Sequence, residues 1–180
     1  METESEYKSR LIKTFNNNKW IDGDNENNTG KKADIVNHDL KIAIEIKDDS
    51  TDFKLDLISS SIDLNLLNKR ILDDARDASK KFSNYKNYKT ILIIRSECPV
   101  PEIFKYAAIG LNRYKVQDHY ISEISKISKY PSNSVWGNIG CVLLYTNSKY
   151  YYFCHPTTPI NRKFNYSEIN ILLGIEMSEI

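Results

Sequence analysis

Residues 89–96, KTILIIRS, carry an unbroken apolar run from Ile91 to Ile94. Successive strand residues point to opposite faces, so such a run requires cover on both sides. The twenty residues just before it supply one cover. In DLNLLNKRILDDARDASKKF (63–82), Leu64, Leu67, Ile71, Ala75, Ala78 and Phe82 recur at steps of three and four, as on one face of a helix. Upstream, KIAIEIK (41–47) alternates between isoleucine and other residues and reads as a strand. A sheet between layers of helices is the architecture that satisfies these elements.

The rest of the chain fits that frame. Tyr7, Leu11, Ile12 and Phe15 predict a helix over residues 4–16. A polar, Asn- and Gly-rich loop follows, interrupted by Trp20-Ile21, a candidate short strand. ADIV (33–36) reads as a strand joined to KIAIEIK by the turn NHDL. Residues 100–114 read as a helix with Pro101 in its first turn. GCVLLYTN and KYYYFCH predict a hairpin turning near Asn147-Ser148, and YSEINILLG a short closing helix. The expected class is α/β (α+β). At 180 residues the chain suits a single domain, with a core over about 4–96 and a C-terminal elaboration over about 97–180.

A formal net charge of +1 excludes a global field for a polyanion, so any nucleic-acid site must be a local basic patch. The three cysteines, Cys98, Cys141 and Cys154, have no zinc-type spacing and suit a reducing compartment. The acidic, polar N-terminus does not read as a signal peptide, and no apolar run spans a bilayer; a cytoplasmic location is expected.

The charged residues of the second strand carry the chemistry. Residues i and i+2 share a face, roughly 6.5–7 Å apart. Ala43, Glu45 and Lys47 thus line one surface, while Ile42, Ile44 and Ile46 enter the core, and Ala43 is expected to keep the adjacent surface open. If the two strands pair around NHDL, Asp34 falls beside Glu45 or Lys47. Two carboxylates and a lysine suit Mg²⁺-assisted phosphodiester hydrolysis, because Mg²⁺ keeps several waters and needs only one or two carboxylates. The lysine would orient or deprotonate the attacking water, or neutralise charge on the phosphate. The acidic-x-Lys triplet alone is uninformative: Glu6/Lys8, Asp39/Lys41 and Asp52/Lys54 repeat it. Only Glu45/Lys47 lies in an alternating apolar strand and follows an Asp at the start of another. The bland alternative is an edge strand charged for solubility.

With ten residues between Asp34 and Glu45-Ile46-Lys47, a Glu-bearing helix before and an amphipathic helix plus apolar strand after, the chain resembles the PD-(D/E)xK nuclease superfamily over residues 4–96. Among its members the short Gly-containing loop before Asp34 is most similar to Holliday-junction resolvases and small restriction-endonuclease-like nucleases. The resemblance implies a restriction-endonuclease-like αβββαβ core with a mixed sheet flanked by helices. It implies Asp34, Glu45 and the Ile46 backbone carbonyl as metal ligands, and Lys47 acting on the water. Glu6 matches the acid many members carry on the first helix, with Glu4 and Glu2 as alternatives. Ala33 stands where the signature has proline.

The resulting expectation is an endodeoxyribonuclease dependent on Mg²⁺, with Mn²⁺ able to substitute. It would act on duplex or branched DNA as a homodimer, without membrane association. The alternatives are a non-cleaving nucleic-acid-binding or protein-interaction module and an RNA-directed nuclease. Lys31 and Lys32, before Asp34, and Lys80, Lys81 and Lys86, interleaved with Tyr85 and Tyr88, are candidate phosphate contacts and stacking partners. The bland reading of the second group is a solvated helix end.

Overall fold

The computed structural model describes residues 2–15, 19–26, 30–49, 64–109, 114–116, 119–121 and 135–180. Helix α1 (Glu4–Thr14) leads into strand β1 (Ile21–Asp22), then β2 (Ile35–Asn37) and β3 (Ile42–Asp48). Helix α2 (Leu64–Phe82), strand β4 (Lys89–Arg95) and helix α3 (Pro101–Ile109) follow. The remaining elements are β5 (Tyr114–Val116), β6 (His119–Ile121), β7 (Cys141–Thr146), β8 (Lys149–Phe153), α4 (Tyr166–Leu173) and β9 (Met177–Glu179). The fold is α+β, with four helices and a mixed sheet of seven strands in the order β1-β2-β3-β4-β7-β8-β9 among the described residues. Strands β5 and β6 form a separate two-stranded sheet.

Alternation in β3 sends its two faces into different cores. Ile42, Ile44 and Ile46 pack with Tyr7 and Leu11 of α1 and Ile169 and Leu173 of α4. Ala43 packs under α2 with Leu67, Ile71, Ala75, Ala78 and Phe82. Leu92 and Ile94 of β4 join that second layer, whereas Ile91 and Ile93 join the first. This is the double cover that the KTILIIRS run demands. Ala43 does not open a surface as expected, because the long helix lies over it and leaves it fully buried.

The hairpin β7–β8 turns through Asn147 (φ 51°) and Ser148 (φ 60°), two left-handed residues in succession. That geometry matches strand twist in a two-residue connection. β7 runs parallel to β4, so the C-terminal region continues the same sheet. Strand β9, parallel to β8, and the β5–β6 pair had no expectation in the sequence. The helix read over 100–114 is observed over Pro101–Ile109; 110–113 lie outside the described residues, as does Asp63 at the start of the long helix, and Tyr114 opens strand β5 instead of ending the helix. No helix among the described residues is long and apolar enough to cross a membrane.

The triplet Glu6/Lys8 has a structural use. Lys8 is buried, and its ammonium reaches Asp22 at 2.8 Å and Asp24 at 3.0 Å, tying α1 to β1. Asp39/Lys41 sits in the β2–β3 turn, and Asp52/Lys54 lies outside the described residues.

Candidate functional site

Antiparallel pairing of Ile35 with Ile44 brings Asp34, one residue before β2, next to Glu45 in the middle of β3. The turn between the strands leaves little freedom of register, and a one-residue slip would send the isoleucines to the other face. The Asp34 carboxylate accepts the Ile46 N–H at 2.7 Å. Its peptide is held from both sides. The Gly23 N–H donates to the Asp34 carbonyl at 2.9 Å, and the Ala33 N–H donates to the Tyr85 hydroxyl at 3.3 Å. Tyr85 in turn donates to the buried Glu26 carboxylate at 2.6 Å.

Helix α2 completes the cluster. Arg70, Asp74, Asp77 and Lys81 recur at steps of four, three and four, one residue before each apolar stripe position. They form the flank of the stripe and lean over the end of β3. Lys47 Nζ lies 3.0 Å from Glu45 Oε1 and 2.6 Å from Asp77 Oδ2. Lys81 donates to Glu45 Oε1 and lies 3.7 Å from Asp34 Oδ1, so one ammonium serves both carboxylates.

The Glu45 side chain is 0% exposed, and its Oε2 has no hydrogen-bond partner. Burial pushes the Glu45 carboxyl up to about 7, reinforced by the Asp34 charge and opposed by Lys81 and Lys47. Burial works against the charge of Lys47, but the Asp77 and Glu45 carboxylates outweigh it and hold the ammonium protonated above its usual range. Burial likewise raises the Asp74 carboxyl to about 6, against the pull of Lys47.

Glu6 has a structural role at the helix start. Its carboxylate accepts from the Thr3 backbone N–H and hydroxyl, each at 2.8 Å, and closes a capping box at the start of α1. Two residues are about 200° apart around a helix, so Glu4 faces another way. The Glu4 carboxyl is raised by burial and then by Asp34 and Asp48, and drawn down by Lys47 and Lys81. Glu4, one of the stated alternatives, is exposed. Glu2 instead pairs with Arg10.

The candidate phosphate contacts separate into groups. Lys81 is turned into the carboxylates. Lys31 is exposed and 3.8 Å from Asp77. Lys32 is half-buried and donates to the Glu26 carbonyl oxygen. Lys80 and Lys86 are exposed away from these contacts. Tyr85 is buried and does not offer a stacking face, while half-buried Tyr88 meets His38 Nδ1 at 2.8 Å. His155 is buried and stacked on Trp136, with its pKa lowered to about 4 by burial. Asp48 pairs with buried Arg95, and Asp49 accepts from Ser96 at 2.8 Å. The roles of Glu26 and Asp77 were missed; the four-three-four charge spacing on α2 was the available signal for Asp77 and Lys81.

These residues fit a hard divalent cation. Asp34 and Glu45 supply oxygen donors, and the orphaned Glu45 Oε2 is a buried acceptor awaiting a positive partner. Lys81 already places a charge between them. Among the described residues no three His, Cys, Asp or Glu side chains gather closely enough to hold a metal by themselves. A cation bound here would have to complete its shell with water, as Mg²⁺ does and a structural zinc does not. Comparison with protein-family models, with curated proteins and with solved structures finds no match to this chain.

Proposed function

We propose that the protein is a Mg²⁺-dependent endonuclease of PD-(D/E)xK type that hydrolyses DNA, acting as a homodimer so that each strand meets one site. The observation that carries this reading is the buried Glu45 carboxylate, with one unpartnered oxygen, held beside Asp34 between Lys47 and Lys81. The α1-β1-β2-β3-α2-β4 order supports it as the αβββαβ core. Asp34 and Glu45, with the Ile46 carbonyl and Glu4, would hold the metal. When bound, the cation neutralises charge on the scissile phosphate and acidifies water. Lys47, its ammonium favoured by Asp77 and Glu45, would orient the attacking water and meet phosphate charge. Lys81 would turn from the carboxylates to the phosphate, and exposed Lys31 extends the basic edge.

The test uses plasmid, single-stranded and branched DNA, each with Mg²⁺, Mn²⁺ or EDTA. Cleavage should vanish with EDTA, and Lys47→Ala should lower it about 10²-fold. Persistence in Lys47→Ala would show that the site is misplaced. Glu4→Gln should lower cleavage about tenfold, whereas Glu6→Gln should leave it unchanged; the reverse ranking would restore Glu6.

One observation favours a second reading. Lys47 and Lys81 already neutralise much of the charge of Asp34, Glu45 and Asp77 without a metal. A self-balanced cluster of this kind suits a non-cleaving nucleic-acid-binding module. Binding with no cleavage in any metal would select it.

A further inference from the structure

The β7–β8 hairpin has a cysteine at each side of its open end, Cys141 at the start of β7 and Cys154 just after β8. Its register runs from Thr146 opposite Lys149 to Val142 opposite Phe153. Continued one step beyond Phe153, where β8 ends, the same register would set Cys141 opposite Cys154. In a hairpin closed by a two-residue turn, the flanking pair is hydrogen-bonded, and the two kinds of pair alternate from there. Thr146/Lys149, Leu144/Tyr151 and Val142/Phe153 are therefore hydrogen-bonded pairs. Cys141/Cys154 falls on the other kind, where the Cα atoms approach to about 4.5 Å and side chains lie closest. A disulfide spans a Cα separation of about 4.4–6.8 Å.

Both side chains also point the same way. Cys141 packs in the α1/α4 layer with Leu143, and Cys154 packs against that layer. Cys98 belongs to the opposite layer, where its thiol donates to the Val100 carbonyl, and it cannot compete.

We propose that Cys141 and Cys154 are a redox-modification site, forming a cross-strand disulfide when the protein meets a peroxide. The half-buried Cys154 reacts first. Burial holds its thiol above the usual range, opposed in part by the Tyr152 hydroxyl at 2.9 Å and the Lys163 charge. Its thiolate sulfur takes one peroxide oxygen as the O–O bond breaks, giving a sulfenic acid and hydroxide, which the proton released by the thiol converts to water. The Cys141 sulfur then attacks the Cys154 sulfur. The S–S bond forms, the S–O bond breaks, and the hydroxyl leaves as a second water with the Cys141 proton. Two thiols are oxidised and one peroxide is reduced to two waters. Proximity offsets the poor ionisation of fully buried Cys141. The bond withdraws Cys154 from the carbonyls of Gly140 and Phe164, at 3.3 and 3.6 Å. It also closes the open end of the hairpin, and a thiol reductant reverses it.

The test treats the reduced, full-length protein with hydrogen peroxide, then unfolds it, alkylates free thiols and maps peptides without reduction. The expected product is a Cys141–Cys154 linked peptide lighter by two hydrogen atoms, from a monomer in which Cys98 is alkylated. The oxidised protein should unfold about 5 °C higher. In Cys141→Ser the Cys154 sulfenic acid should persist and be trapped by a cyclic dione. A link through Cys98, a link between chains, Cys154 sulfinic acid beside free Cys141, or both thiols unchanged would each overturn the proposal. Cys154→Ala should leave Cys141 alkylatable after the same treatment, and protection of Cys141 in that variant would also overturn it.

Discussion

Glu45→Gln should lower Mg²⁺-dependent cleavage about 10³-fold and at the same time make the metal-free protein more resistant to urea at pH 8. The two effects share one cause. Glu45 is completely buried, and its carboxyl stands at about 7 against an ordinary 4.5. Between those values the folded chain holds a proton that the unfolded chain has released. Stability therefore falls as pH rises through the window, by roughly 3 kcal/mol if the full shift is realised. Below about pH 4.5 both states are protonated and the difference disappears. Glutamine keeps the shape and cannot ionise, so the variant should lose this slope. Urea midpoints of both proteins in EDTA at pH 5 and pH 8 measure it. Parallel pH dependence would mean that the Glu45 carboxylate is not desolvated as described. Added Mg²⁺ should stabilise the wild type at pH 8 and not the variant, because only a carboxylate rewards the cation.

Gly23→Ala should be the most damaging small substitution near the site. A Cβ at Gly23 would stand 1.7 Å from the Ala33 carbonyl oxygen. That neighbour is backbone and cannot rotate away. Gly23 also donates to the Asp34 carbonyl, so relief of the clash pulls the chain away from Asp34. The expected loss is about 3 kcal/mol, and folded protein that survives should cleave poorly because Asp34 is displaced. Gly137 is the control, since nothing lies within 4 Å of its added Cβ. Gly137→Ala should stay within about 1 kcal/mol of wild type. Equal midpoints for both variants would refute the close approach of the two backbones.

Much of the site was legible because strand chemistry has a period of two. KIAIEIK could bury its isoleucines only by turning Ala43, Glu45 and Lys47 to the other face. The turn NHDL then left essentially one register, which put Asp34 beside Glu45. The N-terminal acid was less legible. Glu2, Glu4 and Glu6 differ only in helix phase, and the choice was made by Thr3, which captured Glu6 as a cap. Lys81 was read as a phosphate contact because its apolar neighbours did not say which flank of α2 would lie over β3.

The sequence by itself determined the order of the main elements, the two-sided cover of β4, and the meeting of Asp34 with Glu45. These follow from local periodicity and short turns, which act over a few residues. Tertiary structure alone decided that Lys81 turns toward the carboxylates and that β7 lies parallel to β4. It also decided that the polar segment Met177–Glu179 becomes a strand. Each depends on how distant elements pack, because Met177, Ser178 and Glu179 have no strand pattern of their own and gain one only from the hydrogen-bonding edge that β8 presents.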